Sequence, residues 1–273
     1  MTRPMRPVRT LRRMDLALPP GGCEPPFPEA VWVNTNAEDK VQGFRCLESS
    51  RTGLRARCAG SGADFVWPAE GLVRYCGIST ADFVAFSARR GGADCEVLLQ
   101  GILTLGLLVL ATYEIPRRGG VGYFSREFFA RRAAAPAASP GPAGTAVFGH
   151  LAKPAAVDTA PLLGRWRNTE AAARGLVEIM VEDDAGGLAV RAVGSGEEGP
   201  VDWGPARTGV FACLDEAGKA SLSLLATWDF GFLETQLQLR VPAGALASAS
   251  FNVFKDGSGR PSYVTREFFY RVA

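Results

Sequence analysis

The chain has 273 residues, 47% of them apolar, with 32 Gly and 18 Pro, and its 30 Lys and Arg against 28 Asp and Glu leave a net charge of +2. That composition excludes a disordered chain and a coiled coil, and the near balance of charge offers no electrostatic footprint for nucleic acid or an acidic membrane surface. One histidine rules out a histidine pair or a His-rich metal centre within the chain, and no apolar run reaches the roughly 18 residues of a membrane span.

In chain order, residues 1–26 read as a basic, Pro-rich arm. Arg3, Arg6, Arg9, Arg12 and Arg13 stand there with no acid among the first fourteen residues and no apolar core behind them, so a solvated tail is expected rather than a secretory signal. A first unit follows over 27–132. It opens on Ala30-Val-Trp32-Val-Asn34-Thr35, continues through Gly53-Leu-Arg-Ala-Arg57 to Gly60-Ser61-Gly62 and Phe65-Val-Trp67, and closes on Ser125-Arg126-Glu127-Phe128-Phe129. Residues 133–161, rich in Ala, Pro and Gly, form a linker that carries the lone His150, which has no carboxylate or thiol nearby.

A second unit over 162–273 repeats the first. Gly164-Arg-Trp166-Arg-Asn168-Thr169 answers the opening, Gly187-Leu-Ala-Val-Arg191 and Gly194-Ser195-Gly196 answer the glycine segment, Trp203 answers Trp67, and Thr265-Arg266-Glu267-Phe268-Phe269 answers the close. The apolar residues alternate: Leu222, Leu224, Ala226 and Trp228 on one face of a strand, and Leu233, Thr235, Leu237 and Leu239 against Glu234, Gln236, Gln238 and Arg240 on the next. Half-buried strands with one wet face are expected, cut into hairpins by Asp183-Asp-Ala-Gly-Gly, Asp215-Glu-Ala-Gly and Lys255-Asp-Gly-Ser-Gly. The fold class read from this is all-β, with two tandem antiparallel up-and-down barrels of about eight strands each.

A tryptophan early on the first strand, as in Gly164-Arg-Trp166, and an arginine on the last, Arg266, resemble the lipocalin and avidin barrels of the calycin superfamily. The resemblance implies that the arginine packs across the tryptophan and seals the closed end, so Trp32 with Arg126 and Trp166 with Arg266 would be structural plugs. The first copy departs from the pattern, with Ala30 in place of the glycine. The alternation supports that placement, because Arg266 interrupts an apolar row of Val264, Phe268, Tyr270 and Val272, as Arg126 does beside Phe124 and Phe128. A buried guanidinium would need to stack on Trp166 or Trp32, with its donors satisfied by backbone carbonyls or a carboxylate.

Other motifs carry no chemistry. Gly194-Ser-Gly196-Glu-Glu-Gly199 precedes a strand rather than a helix, Asp229-Phe-Gly231 lacks every companion of the kinase triplet, and Cys23, Cys46, Cys58, Cys76, Cys95 and Cys213 show no C-x-x-C spacing. No metal or cofactor is expected. Reduced thiols suggest a cytoplasmic protein.

Residues confined to one copy are the better functional candidates. Counting from Trp67 to Phe86 and from Trp203 to Phe211 places about eleven extra residues within Ala69 to Asp82, a candidate lid bearing Tyr75, Cys76 and Asp82. Trp228, Phe230, Phe232 and Tyr263 are candidate ligand-binding aromatics. Three functions remain open. The first is binding of a small, largely apolar or aromatic molecule in a barrel. The second is a cofactor-independent cyclase or isomerase of natural-product biosynthesis, similar to lipocalin-like barrels that act on polyenes, in which Tyr113 or Tyr75 donates to a carbonyl and Glu114 or Asp229 is an acid or base with a raised pKa. The third is an interaction scaffold with plugged barrels.

Overall fold

Residues that alternate apolar and polar with period two bury one face only when extended, and turn residues recur here at hairpin intervals. The computed structural model describes residues 9–10, 27–36, 43–59, 62–78, 80–133, 142, 157–173, 175–184, 187–196, 198–214 and 220–272, and these form strands almost throughout. His150 and most of the linker and of the basic arm lie outside the described residues. Within the arm, β1 (Arg9–Thr10) pairs with β14 in parallel.

Each copy supplies nine strands. In the first copy they are β2 (Ala30–Asn34), β3 (Phe44–Ser50), β4 (Gly53–Cys58), β5 (Asp64–Pro68), β6 (Leu72–Gly77), β7 (Thr80–Gly91), β8 (Cys95–Thr104), β9 (Leu107–Pro116) and β10 (Gly122–Arg132). The second copy has β11 (Gly164–Asn168), β12 (Leu176–Asp184), β13 (Gly187–Gly194), β14 (Val201–Pro205), β15 (Arg207–Leu214), β16 (Ala220–Asp229), β17 (Leu233–Arg240), β18 (Leu246–Phe254) and β19 (Tyr263–Arg271). A 3-10 turn at Ala69–Gly71 is the one helical element among the described residues.

Consecutive strands pair antiparallel from β2 to β5, β6 to β10, β11 to β14 and β15 to β19, and β10 and β19 return to pair with β2 and β11. Two separately closed rings are expected from the repeat, but the ladders run differently. Among the described residues no ladder joins β5 to β6 or β14 to β15. Instead β10 pairs in parallel with β15, Tyr123 beside Ala212, and β19 with β6, Tyr263 beside Cys76. These two joints are the same contact made twice by equivalent residues. They close one ring of ten strands, β6 to β10 and β15 to β19, to which each copy adds a four-stranded sheet. The reason is edge satisfaction: where β10 and β19 part from β2 and β11, their free N–H and C=O groups need a partner, and the other copy's strand supplies it.

The ring reinterprets the stretch after Trp67. Tyr75 lies eight positions after Trp67, as Phe211 lies eight after Trp203, and the matched joints make Tyr75 the counterpart of Phe211. Residues 72–77 are therefore the ring strand β6 and not a lid, with Tyr75 and Cys76 buried in it. The side chain of Asp82 lies outside the described residues.

Ring strands are covered on both faces. Toward β2–β5 they pack Phe86, Val97, Leu99, Leu110 and Phe129 against Trp32, Phe44, Phe65 and Trp67; toward β11–β14 they pack Trp228, Leu237 and Phe269 against Trp166 and Ile179. The opposite faces meet inside the ring, in clusters around Leu98, Tyr113, Phe124, Phe211 and Leu225 and around Tyr75, Ala85, Ala249, Phe251 and Val264. Each large side chain so buried contributes about 1.5–3 kcal/mol. The face of β17 expected to be wet, Glu234 to Arg240, thus looks onto the first copy. Gly122 marks one joint: a Cβ there would lie 2.4 Å from the Glu114 carbonyl oxygen and 2.6 Å from the Phe211 ring, so β10 can approach β9 and β15 together only without a side chain.

Candidate binding cleft and the repeated clamp

The repeated signatures build a clamp in each copy. Asn34 at the end of β2 donates from Nδ2 to the Phe44 carbonyl at 3.0 Å and to Glu127 Oε1 at 3.1 Å. Asn168 donates likewise to the Leu176 carbonyl at 2.6 Å and to Glu267 Oε1 at 3.2 Å. The backbone N–H of Phe44 and of Leu176 donates to the same carboxylates. Gly43 and Gly175 are required beside them, since a Cβ at either would stand 2.6 Å from a carboxylate oxygen. The twins differ at Oε2: Glu127 Oε2 accepts the Phe44 N–H, whereas the Leu176 N–H goes to Glu267 Oε1. Ser125 donates from Oγ to Glu127 Oε2 at 3.3 Å, whereas Glu267 Oε2 is buried with no hydrogen-bond partner among the described residues. Burial is the main reason that Glu267 is pushed up to about 7, with Glu170 adding repulsion and the Leu176 and Asn168 donors opposing it. The Asn and Glu of the clamp recur in the matched segments of both copies, beside the tryptophan and arginine of the same motifs.

The arginine that lies over Trp166 is Arg271, its guanidinium 4.7 Å above the ring and donating to the Pro161 carbonyl at 2.7 Å. Arg131 holds the same place opposite Trp32 in the strand register. Arg126 and Arg266 are five residues earlier and so face the other way, toward the meeting of the two copies.

The residues expected to act as acids and bases are scattered. Tyr113 is fully buried inside the ring, its hydroxyl 3.1 Å from Ser223 Oγ and its ring edge-on to Phe211; Tyr75 sits against Phe251 with its hydroxyl 2.8 Å from Ser87 Oγ. Burial raises the pKa of both phenols. Glu114 is buried on the other face of β9 from Tyr113. Asp229 does not sit in an apolar wall with a raised pKa: it is exposed, and its bond to Lys255 at 2.6 Å, with the Gly231 N–H, holds its carboxyl below the usual range. The cysteines Cys46, Cys58, Cys76 and Cys95 are unbridged, and burial raises the thiol pKa of Cys46, Cys76 and Cys95. Among the described residues no group of three His, Cys, Asp or Glu could hold a metal ion.

The gaps between ladders differ between copies. In the second, Trp203 packs edge-on against Trp228 and Phe230, Trp228 Nε1 donates to the Gly204 carbonyl at 3.0 Å, and the Ala206 N–H donates to the Val190 carbonyl at 2.9 Å. Phe232 leans on Phe230 and Tyr263 on Phe254, so the candidate ligand-binding aromatics pack mostly on one another or on neighbouring rings. In the first copy the corresponding gap holds a cleft of about 370 Å³. Phe27, Ala69 and Leu72 give it apolar walls, and Arg74 and the Glu29–Arg51 ion pair, 2.9 Å apart, give it a polar rim. Phe27 also packs edge-on to Phe83 and Phe86 at 5.5 Å and covers a void of about 10 Å³ that reaches Trp32. Such a void holds one water at most.

No protein-family model matches the chain, and no curated protein is significantly similar to it. Among solved structures, it resembles a protein of unknown function from the DUF3598 family of Nostoc punctiforme PCC 73102. That match has 14% identity over 90% of this chain and 95% of the other, with a TM-score of 0.24.

Proposed function

We propose that this chain binds one small, largely apolar molecule with a polar end, in the cleft of the first copy beneath Phe27. The carrying observation is the opening after β5, which keeps about 370 Å³ between Phe27, Leu72 and Arg74, whereas beside β14 the rings of Trp203, Trp228 and Phe230 pack on one another. Apolar walls with a few polar groups at the rim suit such a ligand. Phe27 would move aside to let an apolar ring reach Phe83 and Phe86. The site thus lies at the edge of the first copy, beside the gap between β5 and β6, and not inside the ten-stranded ring.

The test is titration of the whole protein with the apolar fluorophore 1-anilinonaphthalene-8-sulfonate, beside a Leu72→Trp variant that fills the cleft. Saturable one-to-one binding by the native chain, weakened at least tenfold in the variant, supports the reading. Equal binding by both proteins overturns it.

The scaffold reading has one observation in its favour, the filling of both copies by Trp67, Phe65 and Phe44 and by Trp166 and Trp228. A cyclase or isomerase has less support, because Tyr75, Tyr113, Glu114 and Asp229 do not line the cleft.

A further inference from the structure

Where the two copies meet, three guanidinium groups come together. Arg126 on β10 and Arg266 on β19 are the same position of the repeat, and Arg240 ends β17. Arg266 reaches across to the first copy, donating from Nη1 to Thr104 Oγ1 at 2.8 Å. Arg126 lies 4.6 Å over the Phe128 ring and Arg240 lies 5.4 Å over Phe124. Elsewhere on the molecule arginines find carboxylates, as Arg57 does with Asp64, Arg165 with Glu178 and Arg191 with Asp202. Among the described residues no carboxylate stands within ion-pair distance of Arg126 or Arg266. The strain is visible in Arg126, whose pKa falls to about 10 through loss of water, then through the like charges of Arg240 and Arg266. Exposed aromatic rings, Phe128 and Phe268, follow two residues after each arginine on the same strands.

We infer that Arg126, Arg240, Arg266 and the Thr104 hydroxyl form a site for a phosphate group. A dianion neutralises converging guanidinium charge better than a carboxylate does, and planar forks match its oxygens. Thr104 Oγ1 already accepts from Arg266, so its own proton is available to a phosphate oxygen. The flanking Phe128 and Phe268 would accept the organic part of a phosphate monoester. This site shares no residue with the apolar cleft and stands or falls independently of it.

The experiment uses the whole chain at constant ionic strength, with chloride replaced by inorganic phosphate, acetate or phenyl phosphate, read by thermal unfolding and calorimetric titration. The native protein should gain stability with phosphate and not with acetate. Arg126→Gln and Arg266→Gln should each weaken phosphate at least tenfold, and without phosphate Arg126→Gln should melt no lower than the native chain. Thr104→Val, which leaves all three charges, should weaken phosphate about fivefold. Tighter binding of phenyl phosphate assigns a monoester, and equal affinity assigns free phosphate. An identical phosphate response in the native chain and the variants, or an equal response to acetate, overturns the proposal.

Discussion

Gln238 donates from Nε2 to Gln100 Oε1 at 2.6 Å, and the two residues occupy the same position in the two copies. Gln100 passes the chain on, its Nε2 donating to Gln236 Oε1 at 3.1 Å, and Gln236 Nε2 donates to Glu234 at 3.0 Å. Inside the ring these amides replace water with one another. On either side of them the pairs Tyr75–Phe251 and Tyr113–Phe211 repeat the same edge-on contact with the copies exchanged. The polar ladder fixes the register in which the copies face each other, since a slip would leave buried amides without partners.

Replacing Gln100 with Leu takes the partner from Gln236 Oε1 and from Gln238 Nε2, while Gln236 Nε2 keeps Glu234, and a buried polar group without a partner costs about 1–3 kcal/mol. Gln100→Leu should lower unfolding free energy in urea by that order, and Gln100→Leu with Gln238→Leu should lose less than the sum of the two single changes. Strict additivity would show that the ladder contributes no coupling.

Glu267 supplies a pH dependence with a definite sign. Its carboxyl titrates near 7 in the folded chain against 4.5 for its ordinary value, so the folded state holds the proton longer. Its contribution is favourable below about 4.5 and is lost as pH rises through 7, by up to about 3 kcal/mol. Glu267→Gln should therefore be more stable than the native chain at pH 8, and the difference should shrink toward pH 5. Parallel stability curves for the two proteins would refute this.

Gly122→Ala should disrupt the joint between β10 and β15, because the added methyl meets a carbonyl oxygen and the Phe211 ring at once. A loss of about 1–3 kcal/mol is expected from overpacking. Amide exchange should show the effect concentrated in β10 and β15, whereas uniform destabilisation or none would argue against a local clash.

Leu105 is fully exposed at the tip of the β8–β9 hairpin with φ of 50°, followed by Gly106 at 79°. Both central residues of the two-residue turn are left-handed, which Asn-Gly tolerates far better than Leu-Gly. Leu105→Asn should raise the melting temperature through about 0.5–1 kcal/mol of relieved strain, readable by calorimetry.

Much of the local structure was legible. The alternation over Leu222–Trp228 and Leu233–Leu239 marks β16 and β17, and the matched Trp-x-Asn-Thr and Arg-Glu-Phe-Phe segments mark the strands that hold each clamp. The site was less legible. Tyr75 and Tyr113 stand out in the sequence as aromatics of the first copy, but their serine partners lie 12 and 110 residues away. The cleft depends on Phe27, Arg51 and Leu72, three unremarkable residues that no spacing connects.

By itself the order of residues determined that the chain is extended, turn-rich and built of one unit repeated, because period-two burial and hairpin residues act over a few neighbours. Only the tertiary structure decided which edges join. A repeat offers each free strand edge two partners of the same pattern, one in its own copy and one in the other. The choice rests on where backbone hydrogen bonds and polar side chains can all be satisfied together, and here that choice made one ring of ten strands from both copies.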